Sequence, residues 1–189
     1  MDDLVGTGFA AGTSATPVPG GTPAPVAFAL RRLLAERLTE VHLPIVRRMH
    51  QDERMMAMIG GVRDEAETVA YLERNLTHWA EHGFGIWILR DPITHEVVGR
   101  AGLRNLTIEG MPEVEVAYAL FPGWWGRGLA TDAARACVTI GRDWMGLHSV
   151  VGLVRPANLV SQRVLRKAAM TEEREVLHGG EPHLLFRTD

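Results

Sequence analysis

The chain has 189 residues, 46% of them hydrophobic, a net charge of −3 at pH 7 and a single cysteine. That is one domain's length of chain with enough apolar residues to close a core, and its charge gives no overall pull toward nucleic acid or an anionic membrane. A lone Cys137 excludes an internal disulfide and a thiolate metal site, and no apolar run is long enough to cross a bilayer, so the chain reads as cytoplasmic and as a monomer or homodimer.

Residues 4–30 carry no charge and are rich in Gly, Ala, Thr and Pro, without the basic start and continuous apolar core of a signal peptide. Residues 1–27 therefore read as a flexible tail, and residues 28–189 as a single domain. Residues 30–38 predict a strand, after which Thr39 caps a helix to about His50 with Leu43, Val46 and Met49 on one face. Residues 52–61 form a Met-rich link ending in Gly60 and Gly61. A helix follows over 65–81, with Val69, Leu72, Leu76 and Trp79 inward and Gly83 as its stop. Residues 84–89 and 97–106 predict a hairpin around Asp91 and Pro92, and 114–120 a further strand. A helix then runs to about Met145, with Ala130, Ala133, Ala134, Cys137, Ile140 and Trp144 at helical spacing. Cys137 on that stripe reads as a buried, inert thiol. Residues 149–154 predict a buried strand, 159–168 a helix, and the remainder two short strands, which together make a mixed α/β layer fold.

The junction between strand 114–120 and the next helix carries the chemistry. In Trp124-Trp125-Gly126-Arg127-Gly128-Leu129-Ala130-Thr131, Gly126 and Gly128 permit backbone conformations closed to other residues. The first N–H groups of the helix then point outward with the positive end of the dipole behind them, which suits a phosphate. A Walker loop requires Lys after its last Gly, where Leu129 stands; a dinucleotide fingerprint requires a third Gly, where Thr131 stands. An ATP site is thus disfavoured, and a plain strand-to-helix turn remains the competitor. Arg127, Arg135, Arg142, Arg155, Arg163, Arg166 and Lys167 concentrate positive charge on this loop and the segment after it.

That loop, followed by helix, strand and Arg155-Pro156-Ala157-Asn158-Leu159-Val160-Ser161-Gln162-Arg163-Val164-Leu165-Arg166-Lys167, resembles the GNAT acyl-CoA N-acetyltransferases over about residues 30–188. Within them it is most similar to the branch of the ribosomal-protein alanine N-acetyltransferases, which carry Trp at the first loop position. The resemblance implies a GNAT-like α/β (α+β) fold, whose central mixed, mostly antiparallel sheet is flanked by helices and has splayed central strands near a bulge. It implies transfer of an acetyl group from acetyl-CoA, without a metal, directly to a protein N-terminal amine or a small-molecule amine. A non-catalytic acyl-CoA-binding module is the alternative.

The same resemblance distributes the roles. Gly126, Arg127, Gly128, Leu129, Ala130 and Thr131 would hold the pyrophosphate, with Arg127 as the first charged partner and Arg163 with Lys167 second. Val116, Tyr118, Ala119 and Leu120 would offer main-chain bonds to pantetheine, and a backbone N–H there would steady the developing oxyanion. Glu115 is the leading base and Glu113 its rival. Strict alternation puts both carboxylates on one face, and a bulge would reverse the parity downstream, so the choice stays open. Both carboxylates would welcome a cationic amine. Leu165 stands where many relatives carry a Tyr acid, which leaves Ser161 as the nearest hydroxyl, to donate a proton, to hold the cofactor through water or only to cap the helix; Asn158 is an N-cap with a role in CoA contact. Ala169-Met170 replaces the usual Gly-Phe, and a non-Gly residue in a left-handed helix end costs about 1 kcal/mol, so that end is expected to differ locally. Residues 55–61, the 65–81 helix and a 104–111 loop would select the acceptor. His78 and His82, four apart, lack a third ligand nearby and read as helix-end residues rather than a metal site.

Overall fold

The computed structural model describes residues 22–189; the rest of the expected tail, residues 1–21, lies outside the described residues. The segment that follows is packed. Ala24 is buried and its N–H donates to Gly83 O at 2.9 Å, and the indoles of Trp87 and Trp144 donate to the carbonyls of Pro25 and Pro23.

Eight strands form one sheet: β1 (Ala27–Ala29), β2 (Leu34–Arg37), β3 (Ile86–Arg90), β4 (Val97–Ile108), β5 (Met111–Leu120), β6 (Val151–Val154), β7 (Met170–His178) and β8 (Glu181–Thr188). Their order is β1-β2-β3-β4-β5-β6-β8-β7, antiparallel throughout except at β5–β6. The strand expected over residues 30–38 is confined to Leu34–Arg37, and it pairs as a hairpin with β1, which lies before the expected span, with Ala29 opposite Leu34. The expected acceptor loop over 104–111 is also corrected. It is strand on both sides of a tight turn, where Glu109 at φ 49° and Gly110 at φ 84° reverse the chain.

One sheet face carries α1 (Leu43–Gln51), α2 (Glu53–Met56) and α3 (Glu65–His82), packed through Val46, Met49, Met55, Tyr71 and Leu72 onto Ile86, Ile88, Ala117 and Ala119. The short α2 lies inside the expected link because Asp52 caps it, accepting from Met55 N at 2.8 Å, which turns Met55 and Met56 inward. The other face carries α4 (Leu129–Thr139) and α5 (Leu159–Lys167), packed on Val116, Tyr118 and Leu120. Beyond α4 the chain widens into a π turn, Ile140–Trp144, which rotates Trp144 out of the expected stripe to 55% exposure.

The β4–β5 ladder is continuous from Gly99 opposite Leu120 to Ile108 opposite Met111. Gly99 makes that close pairing possible, since a Cβ there would lie 2.3 Å from Ala119 O. The expected bulge is therefore absent from this ladder. Alternation holds along β5, with Glu113, Glu115, Ala117 and Ala119 on the α1–α3 face and Val116, Tyr118 and Leu120 on the other.

Candidate active site

The two central strands part after one contact. Among the described residues β5 and β6 share a single parallel pair, Glu115 opposite Val151, after which β5 continues to Leu120 and β6 to Val154 unpaired with each other. A wedge-shaped opening lined by main chain results, with Glu115 at its apex. Residues Val116, Tyr118, Ala119 and Leu120 line its β5 side, although the Leu120 carbonyl is already taken by the Trp125 indole at 2.8 Å.

The loop at the mouth of the wedge adopts the conformation its glycines allow. Gly126 has φ 77° and Gly128 φ 75°, left-handed values that a side chain disfavours. Gly128 is also the N-cap of α4, so no side chain caps the first turn, and the N–H groups at Leu129, Ala130 and Thr131 head an uncapped helix. The charge around this turn differs from the sequence reading. Arg127 folds back on its own loop, donating to Gly123 O at 3.0 Å and stacking on Trp124 at 4.8 Å. Arg155 pairs with Glu181, Arg166 with Glu172, Arg135 donates to Lys167 O and Arg142 to His148 O, so these cations are spread over local contacts. Arg163 is exposed on α5. Sequence reading missed Arg32, brought by the β1–β2 turn to lie against Gly128 and to pair with Asp132 at 2.8 Å. Its separation of about a hundred residues from the loop leaves no local signal.

On the α4–α5 side, Asn158 caps α5 by accepting from Ser161 N at 3.0 Å. Ser161 is buried, and its Oγ lies 2.8 Å from the Tyr118 hydroxyl, so a side chain expected only to contribute main chain supplies the hydroxyl's partner. Burial pushes the Tyr118 phenol well above its ordinary range.

On the opposite face Glu115 is fully buried and paired with Arg104 at 2.6 Å. Glu113 is held by both Arg187 Nη atoms at 2.7 and 3.0 Å. Each carboxylate is thus matched by a guanidinium, which corrects the expectation that the pair would draw in a cationic amine. His178, from the end of β7, is half-buried and lies near enough to Glu115 and Arg104 to feel both; burial first, and Arg104 with it, lower its pKa against the pull of Glu115. His78 is a strut rather than half of a metal site: Nδ1 bonds Phe84 O at 2.8 Å and Nε2 accepts from Asn105 N at 3.0 Å.

Residues 32–171 match the model of the acetyltransferase (GNAT) domain. The chain is a GNAT acetyltransferase. This GNAT enzyme is 28% identical over 138 residues to the uncharacterized protein YkkB of Bacillus subtilis, covering 73% of this chain and 80% of that one. Its fold is shared with an acetyltransferase from Agrobacterium tumefaciens, with TM-score 0.77 and 24% identity over 93% of this chain and 99% of the other. A ribosomal L7/L12 α-N-protein acetyltransferase in complex with coenzyme A also shares it, with TM-score 0.68 and 16% identity over 88% and 97% of the two chains. In this acetyltransferase the wedge, the glycine loop and the cap of α5 all meet at one end of β5.

Proposed function

We propose that the protein transfers the acetyl group of acetyl-CoA directly to a primary amine, with the wedge between β5 and β6 as the transfer site. One observation carries the reading: an uncapped helix end at Gly128 stands at the mouth of a parted strand pair whose last joined residue is Glu115. The residues present fit the cosubstrate. The α4 amides and both positive-φ glycines suit a pyrophosphate, with Arg32 and Arg127 as flanking cations, and the unpaired main chain of β5 suits an extended amide arm.

When bound, acetyl-CoA supplies an activated acyl carbon. Glu115 takes the proton that the amine loses as its N–C bond forms and the C–S bond breaks, passing it through water since the carboxylate is buried. Arg104 holds that carboxylate in place. A backbone N–H of β5 stabilises the charge that develops on the carbonyl oxygen. Ser161, held by Tyr118, donates a hydrogen bond to the sulfur that departs. Full transfer from Tyr118 would run uphill, because a thiol near 8.5 is a far stronger acid than a phenol already above 10. The hydroxyl pair therefore stabilises the thiolate by hydrogen bonding.

The acceptor amine must be neutral to attack. An α-amino group near 8 is roughly 10% neutral at pH 7, against about 0.04% for a lysine near 10.4, so an α-amine asks least of the buried base. This is the chemistry of the N-terminal-alanine branch, and it applies equally to small α-amines. A panel of primary amines with acetyl-CoA, read by free-thiol release, tests the reading. CoA release with at least one α-amine is expected. Tighter calorimetric binding of ATP than of acetyl-CoA, or no release with any amine, would overturn it.

A further inference from the structure

Three arginines gather on the α1–α3 face of the sheet, beside the alanines of β5 and on the opposite side from α4 and α5. Arg100, on β4, is 3% exposed and its Nη1 lies 3.0 Å from His50 Nε2. Arg63, from the segment before α3, brings its own Nη1 to 3.3 Å from the same nitrogen. Guanidinium nitrogens only donate, so Nε2 is an acceptor and the His50 ring is neutral, with Nδ1–H donating to Thr68 Oγ1 at 3.0 Å. The Tyr71 ring carries both guanidiniums, at 4.6 and 5.5 Å from its centroid. Arg74 is near enough to add its charge to the field on both His50 and Arg63.

Collecting like charges in a poorly solvated place is unfavourable in the free protein. The strain is visible in the groups themselves. Burial, with Arg100, Arg63 and Arg74 behind it, pushes His50 down to about 2. Burial and repulsion by Arg100, with Arg74 behind them, bring Arg63 down to about 10 against the opposing influence of Tyr71 and, smallest of all, Glu67. Glu67 is itself engaged in the α3 capping box, accepting from Asp64 N at 2.9 Å. Residues that strain a fold in this way belong to binding sites more than to cores.

The sheet register places the cluster relative to the transfer site. Arg104 is opposite Glu115, Gly102 opposite Ala117 and Arg100 opposite Ala119. Arg100 thus stands four residues of strand, about 13 Å, from the base, with only small residues between them on this face. We propose that Arg63 and Arg100 receive a carboxylate of the acceptor, so that the enzyme acetylates amines that bear a carboxylate and rejects polycations. This rests on the acetyltransferase reading above, with the acceptor entering on the α1–α3 face. A free amino acid and an acidic residue near a peptide's N-terminus would present the same chemistry.

The test compares matched pairs: amino acids against their carboxamides, and N-terminal peptides with Asp against Asn at the second position. Wild type is expected to favour the carboxylate member of at least one set by about tenfold or more in kcat/KM, and the set that does so identifies the source. Arg63→Gln should bring that ratio close to one, mainly through KM, while activity on the neutral member persists. Arg63 is half-buried, so this variant keeps the question open to measurement if Arg100→Gln fails to fold. A second readout needs no turnover. Melting of the CoA-loaded protein should rise more with N-acetyl amino acids or N-acetylated Asp peptides than with their amide counterparts, and Arg63→Gln should erase the difference. Equal response to both members, response to neither, or preference for spermidine overturns the carboxylate site. Failure of acetyl-CoA to bind at all would instead count against the acetyltransferase reading.

Discussion

Glu115 owes its position to two neighbours, Val151 at the last joined pair of β5 and β6 and Arg104 across the ladder. Its candidacy as the base came from the motif; its burial and its cation were not legible, because Arg104 lies on another strand. The choice between Glu115 and Glu113 turned on parity, and the unbroken β4–β5 register leaves both on one face, so position along the strand separates them instead. Glu113 lies two residues before the opening and is clamped by Arg187. Tyr118 shows what a motif cannot supply: its main chain was expected at the wedge, while its hydroxyl meets Ser161 from a helix 43 residues further on. Tyr118→Phe should lower kcat by about tenfold with acetyl-CoA affinity nearly unchanged, as befits a group that positions the sulfur's hydrogen-bond donor. The split is read by steady-state kinetics beside calorimetry, and unchanged kcat would mean that Tyr118 has no part in the transfer.

At the scale of elements, helix ends were well written in the sequence. Gly83 closes α3 at φ 72° and Asn158 caps α5, as expected, while the reciprocal capping box of Asp64 and Glu67 at the start of α3 went unrecognised. The misread elements were those set by tertiary contact. Strand β1 forms because residues 27–29 pair with β2, and α4 ends in a π turn where the Gly141 position faces Val150 with a Cβ-sized space denied, at 2.8 Å. Ala169 was expected to redirect the chain, yet it takes the left-handed conformation at φ 60° and the strain stays in place. Ala169→Gly should therefore stabilise the protein by about 1 kcal/mol, measured by urea unfolding, with no effect expected from coenzyme contact. A destabilised variant would mean that the alanine methyl contributes packing larger than the strain.

For the whole molecule, the sheet divides the labour: α4 and α5 with the glycine loop form one side, and the arginine-rich α1–α3 face the other. The first was readable because its residues are close in sequence. The second was not, since His50, Arg63, Tyr71 and Arg100 converge from α1, the link, α3 and β4. Two neutral imidazoles, the buried His50 and the half-buried His78, make the fold acid-sensitive. Burial lowers His78 from its ordinary 6.5 to about 4 and, with its arginines, His50 to about 2. Each binds fewer protons folded than unfolded below pH 6.5, so stability should fall as pH drops from about 6.5 toward 4. The part of the loss above pH 4.5 precedes titration of the lowered Glu36 and Glu65 carboxylates. Chemical denaturation across that range checks it, and stability flat down to pH 4.5 would contradict neutral histidines in the folded state. On the function proposed above, the glycine loop binds acetyl-CoA while Glu115 drives transfer, two tasks on separable residues. This division is tested most directly by measuring acetyl-CoA affinity and amine-dependent CoA release in Glu115→Gln. Affinity is expected to stay within about twofold of wild type and turnover to fall by about 100-fold or more; turnover at the wild-type level would contradict a role for Glu115 in transfer.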